Sequence, residues 1–203
     1  MNLSGNQKDQ FLTLNELDVF TIPGFFERMA SIRNRISPKL AFLGSSIAED
    51  IKLETGLELY PHVAKHARRT VNPPDETWVA LSPSLKGYKM HVHLVLGLGY
   101  YGSFVKCVAK PNSMEKGILA KAINDISTIG TIWLLKGETP VEIDETSKDS
   151  VFEVNNYKSY GLEVGKVLAG VPGTTYKQWL EWATKEIESL WPLYEYVRKE
   201  GMY

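Results

Sequence analysis

The chain carries one cysteine, Cys107, in 203 residues. A single cysteine excludes an internal disulfide and a cysteine-based zinc centre within one chain. It lies in the apolar run FVKCVA, where a small buried side chain is the ordinary role. Long apolar runs are also missing: none approaches the roughly 20 residues that cross a bilayer, so no membrane partner is expected. The start, MNLSGNQKDQ, lacks the basic head and apolar stretch of a signal peptide, and a cytoplasmic location is the expectation. Nor does charge of one sign dominate. With 23 Lys and Arg against 24 Asp and Glu, the whole chain exerts no general pull on nucleic acid or an anionic membrane, so any such attraction is local. Low-complexity tracts and long like-charge runs are absent, and the length suits one domain over residues 1–203, with 1–15 as a loose start.

Local catalytic signatures are lacking too. There is no G-x-S-x-G elbow, Walker loop, H-E-x-x-H or EF-hand pattern, although a site assembled from distant residues leaves no such trace. Gly97, Gly99 and Gly102 match the spacing of a dinucleotide-binding loop and follow a strand. What comes next, SFVKCVA, reads as a strand where that loop must open a helix, so a hairpin turn is the better reading and no cofactor is assigned.

What is present is clear periodicity. Phe25, Met29, Ile32, Ile36, Leu40, Leu43, Ile47 and Ile51 recur at three and four, predicting a long amphipathic helix that ends at Thr55 and Gly56. Pro38 interrupts it, either as a kink, the preferred reading, or as a restart at Ser37. Strands are predicted at 77–81, 86–96 and 103–109 and around 131–135. In the second of these Tyr88, Met90, Val92, Leu94 and Leu96 alternate with Lys89, His91 and His93, as in a half-covered sheet with an open polar face. A helix from Asn112 or Ser113 to about Ile126, an acidic connection over 138–149, a short helix from 151 and a strand from 162 follow. A final helix carries Trp179, Ala183, Ile187, Leu190, Tyr194 and Val197 on one stripe, capped by Thr174 or Thr175 and bent at Pro192. Its Trp and Tyr residues fit packing better than stacking on bases or sugars. Strands gathered between long terminal helices predict an α+β fold, a mainly antiparallel sheet covered by helices in two layers.

The candidate site is residues 60–89. From Tyr60 to Pro74 there is no acidic residue, while Lys65, Arg68 and Arg69 bring charge and His62, His66, Thr70 and Asn72 bring hydrogen-bonding groups. Arginine grips phosphate or carboxylate through paired hydrogen bonds, so an anionic small molecule is the natural partner, with Lys86, Tyr88 and Lys89 contributing from the next element. The bland alternative is that these cations pair with surface carboxylates. Asn72-Pro73-Pro74 holds the exit of the segment extended. If chemistry occurs, His62 or His66 is the acid–base candidate. His62 with His66, and His91 with His93, have spacings that metal sites use, but the surrounding cations and the lack of a carboxylate in 60–74 argue against a metal ligand set. Two further partners are open: nucleic acid on the polar face of Lys89, His91, His93 and Lys106, or an acidic protein surface.

The run YPHVAKHARRTVNPPDETWVALSPSLKGYKMHVH, with FTIPGFFERM upstream, resembles the YktB-like proteins, an uncharacterised bacterial family. The resemblance spans about Phe20 to Ala109 and implies a cytoplasmic α+β domain from a low-GC Gram-positive bacterium. It implies no activity. It does place His62, Lys65, His66, Arg68, Arg69 and Lys89 inside the stretch that carries the likeness.

Overall fold

The computed structural model describes residues 10–67, 69–126, 130–136 and 139–201. Arg68 of the predicted site lies outside the described residues, as do residues 1–9 of the expected loose start. That start gives way to anchored chain sooner than expected. Phe11 and Leu12 are fully buried, the Phe11 N–H donates to the Thr174 carbonyl at 2.6 Å, and the Trp179 indole donates to the Leu12 carbonyl at 2.8 Å. Helix α1 (Leu14–Leu17) follows at once, with the Glu16 carboxylate accepting from the Thr13 N–H and hydroxyl at 2.8 and 2.7 Å.

The long helix is two α-helices, α2 (Phe25–Ser31) and α3 (Ser37–Thr55), joined by a π-helical turn, Ile32–Ile36. Proline explains the join. Pro38 has no N–H to give and its ring crowds the carbonyl one turn back, so α3 restarts at Ser37, and Ser37 itself donates to the Ile32 carbonyl five residues earlier. The wide turn takes the place of the expected kink, and Met29, Ile32, Ile36, Leu40, Leu43, Ile47 and Ile51 all remain buried. Gly56 closes α3 in the left-handed conformation (φ 73°).

The strands are β1 (Tyr60–Val63), β2 (Glu76–Ser82), β3 (His93–Gly99), β4 (Gly102–Ala109), β5 (Thr131–Lys136), β6 (Thr139–Ile143) and β7 (Tyr160–Leu168), with helix α4 (Lys116–Asp125) after β4. Among the described residues they form an open antiparallel sheet in the order β1-β2-β3-β4-β7-β5-β6, and helices stand at both ends of the chain: the fold class is α+β. Tyr100 and Tyr101 turn β3 back into β4, so the glycine-rich segment is the hairpin the sequence suggested.

Two further elements differ from expectation. The predicted strand 86–96 begins only at His93; residues 84–91 turn, with the Gly87 N–H on the Ser84 carbonyl and the His91 N–H on the Tyr88 carbonyl. The Val92 N–H is taken at 3.1 Å by the Glu115 side chain in place of a neighbouring strand. The acidic connection 138–149 contains β6, which pairs with β5 from Ile132↔Ile143 to Lys136↔Thr139, and then a 3₁₀ segment, Glu145–Asn155. Pro140 is tolerated because β6 is the edge strand.

The chain divides into two compact units. The first holds the described residues of Met1–Ala80 with Leu96–Phe104 and Val167–Lys185; the second holds Leu81–Val95, Val105–Lys166 and Glu186–Tyr203. In the first, Gly44 lets α3 come close to β2: a Cβ there would stand 2.7 Å from Val79 Cγ2. In the second, Lys106 and Lys110 both reach the buried Glu163 carboxylate, at 2.8 and 3.0 Å, and Lys106 also sits over the Trp133 ring at 4.6 Å. Helix α5 (Tyr176–Gly201) ends the fold; Thr175 caps it, its hydroxyl accepting from the Gln178 N–H while Gln178 Oε1 accepts from the Thr175 N–H. Trp179 and Tyr194 are fully buried, as packing required. No helix among the described residues is long and apolar enough to cross a membrane.

Candidate functional site

The basic segment follows edge strand β1. His62 is half-buried on β1; Ala64 makes the last strand-like bond, its N–H donating to the Trp78 carbonyl of β2 at 2.9 Å. The chain then turns sharply at His66, whose φ of 48° makes it the one described non-glycine residue in the left-handed region. Such a conformation is uncommon for a residue with a Cβ and persists where its surroundings hold it. Here the imidazole stands edge-on to the Trp78 ring at 5.3 Å, its Nε2 lies 3.1 Å from the Thr77 hydroxyl, and the Arg69 N–H closes a turn on the His66 carbonyl at 3.0 Å.

The same segment is pinned at its far end. Arg28, 8% exposed, donates from Nε to the Ile22 carbonyl at 2.7 Å and from Nη1 to the Pro74 carbonyl at 3.1 Å and to Asp75 at 3.0 Å. The two stretches that carry the family likeness, one around Arg28 and one around Pro74, therefore meet in space. Pro74 is buried; Lys65, Arg69, Thr70, Val71 and Asn72, between the two anchor points, are exposed.

Electrostatics sharpen this description. Burial of the His66 ring, and then the positive charges of Arg69 and of Arg33 on the π-helical turn, push its pKa down to about 4. At neutral pH the imidazole is uncharged, a hydrogen-bonding group beside two permanent cations. The neighbouring acids are engaged elsewhere: Asp75 with Arg28, and Glu76 with the Tyr101 hydroxyl. Among the described residues, Arg33, Lys65 and Arg69 form no ion pair. Among the described residues, the bland pairing with surface carboxylates is not what these three do.

The rest of the predicted set sits differently. Lys86, Tyr88 and Lys89 belong to the second unit and to the 84–91 turn, with Lys86 and Lys89 exposed and the Tyr88 ring 4.8 Å from that of His93. The open polar face is gone with the strand that defined it. His93 is fully buried with its Nδ1–H on the His91 carbonyl at 2.8 Å, Lys106 is committed to Glu163, and every residue of β3 and β4 is buried. Alternation had suggested a half-covered surface, but the two central strands are covered on both faces. Among the described residues no group of three His, Cys, Asp or Glu side chains is placed to hold a metal ion.

Sequence reasoning missed Arg33 and Glu115. Arg33 is one polar residue on a helix that reads as structural. Glu115 joins His91 across 24 residues, a distance no local pattern spans: its Oε1 accepts from His91 Nδ1 at 3.0 Å, and its Oε2 accepts from the Val92 N–H and the Ser113 hydroxyl, each at 3.1 Å.

A family model described as "Domain of unknown function (DUF1054)" matches residues 12–194. A UPF0637 protein of Oceanobacillus iheyensis is 37% identical over 148 residues, covering 73% of this chain and 71% of its own. A UPF0637 protein of Bacillus cereus is 32% identical over 196 residues (88% and 93%), and one of Bacillus mycoides 31% over 202 residues (91% and 96%).

Proposed function

The chain belongs to the DUF1054 family, the UPF0637 or YktB-like bacterial proteins, and on that premise we propose that it binds a small phosphorylated or carboxylated ligand at the His66–Arg69 turn. The ligand lies against Arg69 and Arg33, with neutral His66 offering a hydrogen bond and Lys65 adding charge. His62, Arg68 and Asn72 belong to the same segment and complete the proposed ligand set. The observation that carries this reading is the combination of a strained, three-way-held His66 with exposed cations that no carboxylate of the described residues neutralises. Preorganised donors bind an anion without the ordering cost that a mobile loop incurs.

Three features support it. Arg28 fixes the exit of the segment, so the turn is a constrained surface. The ring of Trp78 supplies an aromatic wall beside the imidazole. The chain as a whole is close to neutral, so a local cluster of cations, of which Arg33, Lys65 and Arg69 form no ion pair among the described residues, stands out against its background. Calorimetry with inorganic phosphate, a sugar phosphate and a dicarboxylate tests the reading: wild type binds at least one, and Arg69→Ala and Arg33→Ala each weaken it about tenfold or more, the worth of one charged hydrogen bond. Silence across all three, with the variants indistinguishable from wild type, removes the proposal.

A further inference from the structure

The second unit carries an exposed apolar patch flanked by cations, separate from the residues of the anion site above. Leu85 (73% exposed) and Met90 (50%) stand on the 84–91 turn, and Met114 (66%) on the turn that precedes α4. The two turns lie side by side, because the Met114 N–H donates to the Met90 carbonyl at 3.0 Å. Large apolar side chains are costly to leave in water, and where they are grouped they mark a surface that meets something else. Lys86 and Lys89, on the first of these turns, are exposed and form no ion pair among the described residues. The sequence has no Asp or Glu between Glu76 and Glu115, and Glu115 is 4% exposed with its oxygens on His91, Val92 and Ser113. The matching chemistry is apolar and negatively charged together.

The backbone of these turns narrows the choice of occupant. The Ser84 and Lys86 N–H groups donate to the Ser82 and Ser84 hydroxyls, each at 3.3 Å, those of Gly87 and His91 donate to the Ser84 and Tyr88 carbonyls, and that of Ser113 donates to the Lys110 carbonyl at 2.8 Å. Groups so paired do not offer themselves to an added strand, and they can leave bulk water without losing their partners. Side chains at least half exposed stand out from the surface instead of lining a groove that would hold a helix. Unbranched methionine adapts to irregular surroundings, and a lysine stem lets its ammonium reach headgroup phosphates while apolar neighbours sit deeper.

We propose that the 84–91 turn and Met114 dock this protein on an anionic lipid surface, with Leu85, Met90 and Met114 entering the boundary between headgroups and acyl chains and Lys86 and Lys89 meeting lipid phosphates. Contact of this kind is peripheral and reversible, so the lack of a spanning helix among the described residues has no bearing on it. It departs from the expectation, drawn from the lack of a long apolar run, that no membrane is a partner.

Sedimentation of the full-length protein with vesicles of phosphatidylglycerol and phosphatidylcholine in equal parts, against phosphatidylcholine alone, tests this docking. The protein is expected to pellet with the anionic vesicles, and less so as salt rises. Lys86→Ala/Lys89→Ala and Leu85→Ser/Met114→Ser, whose changes are confined to exposed side chains, are each expected to lower the partition about tenfold or more. Arg69→Ala, in the first unit, is expected to pellet as wild type does, which separates this surface from the small-anion site. No pelleting with anionic vesicles, a partition indifferent to both double variants, or one lost with Arg69→Ala instead overturns the proposal. So does a dimer in solution that Leu85→Ser/Met114→Ser disperses, since a second copy of the chain would then cover the patch.

Discussion

The Arg69 N–H donates to the His66 carbonyl at 3.0 Å, closing a turn in which a left-handed histidine is followed three residues later by an exposed arginine. That bond keeps Arg69 beside the imidazole, where its charge helps hold His66 neutral. Around it, the fold anchors the segment at the β1–β2 ladder and at Arg28, and leaves Lys65 and Arg69 between the anchors in solvent.

Arg28 is the residue whose loss should loosen this segment most. Arg28→Met strands the buried Pro74 carbonyl and the part-buried Ile22 carbonyl and is expected to cost about 2–4 kcal/mol. Urea unfolding measures the loss, and amide exchange should rise over residues 64–75. A change in stability below about 0.5 kcal/mol would show that the guanidinium anchors nothing.

Glu163 is buried between two lysines. Burial alone would raise its pKa, but Lys110 and Lys106 overcome that effect and take it down to about 2. A carboxylate with a folded pKa below its unfolded value contributes stability that is complete above about 4.5 and is lost as pH falls toward 2. Glu163→Gln is expected to cost about 3 kcal/mol at neutral pH, by leaving Lys106 buried without its counter-charge, and to flatten this acid limb. Denaturant titrations across that range read both effects.

Gly44 reports on how closely α3 approaches β2. Gly44→Ala gains helix propensity worth about 1 kcal/mol but places its methyl against Val79, where overpacking costs about 1–3 kcal/mol. The single variant is expected to be destabilised and the Gly44→Ala/Val79→Ala pair to recover much of the loss. Independent, additive effects in unfolding experiments would contradict the contact.

Cys107 is fully buried, and burial pushes its thiol pKa up to about 12. The native protein should therefore resist a thiol reagent such as dithionitrobenzoate at pH 8 and react only in denaturant. Prompt labelling without denaturant would contradict the burial.

The helical stripes and the strand segments rich in β-branched residues were readable because their periodicity records burial directly. The lapses have specific causes. Residues 86–92 alternate as a strand does, yet Gly87 and the side chain of Glu115 satisfy that backbone without a ladder. β6 was hidden by Pro140 and by Glu142, which an edge strand accepts. The π-helical turn follows from Pro38, a residue visible from the start, but the periodicity is the same for a kink and for a restart. As for the proposed site, composition pointed to the basic segment, while Arg33 brings its charge to His66, and Glu115 meets His91, only through tertiary structure.

The most direct measurement is the His66 pKa, followed by ring resonances with and without inorganic phosphate. Without ligand it lies near 4, so the unfolded chain binds more protons than the folded one between about 4 and 6.5, and His66 weakens the fold as pH falls through that window. An anion bound against Arg69 and Arg33 reverses part of their effect. Phosphate is expected to raise the His66 pKa and to bind more tightly as pH falls, whereas Arg69→Ala raises the ligand-free value and abolishes the phosphate response. A His66 pKa unmoved by phosphate in the wild-type protein would contradict an anion site at this turn.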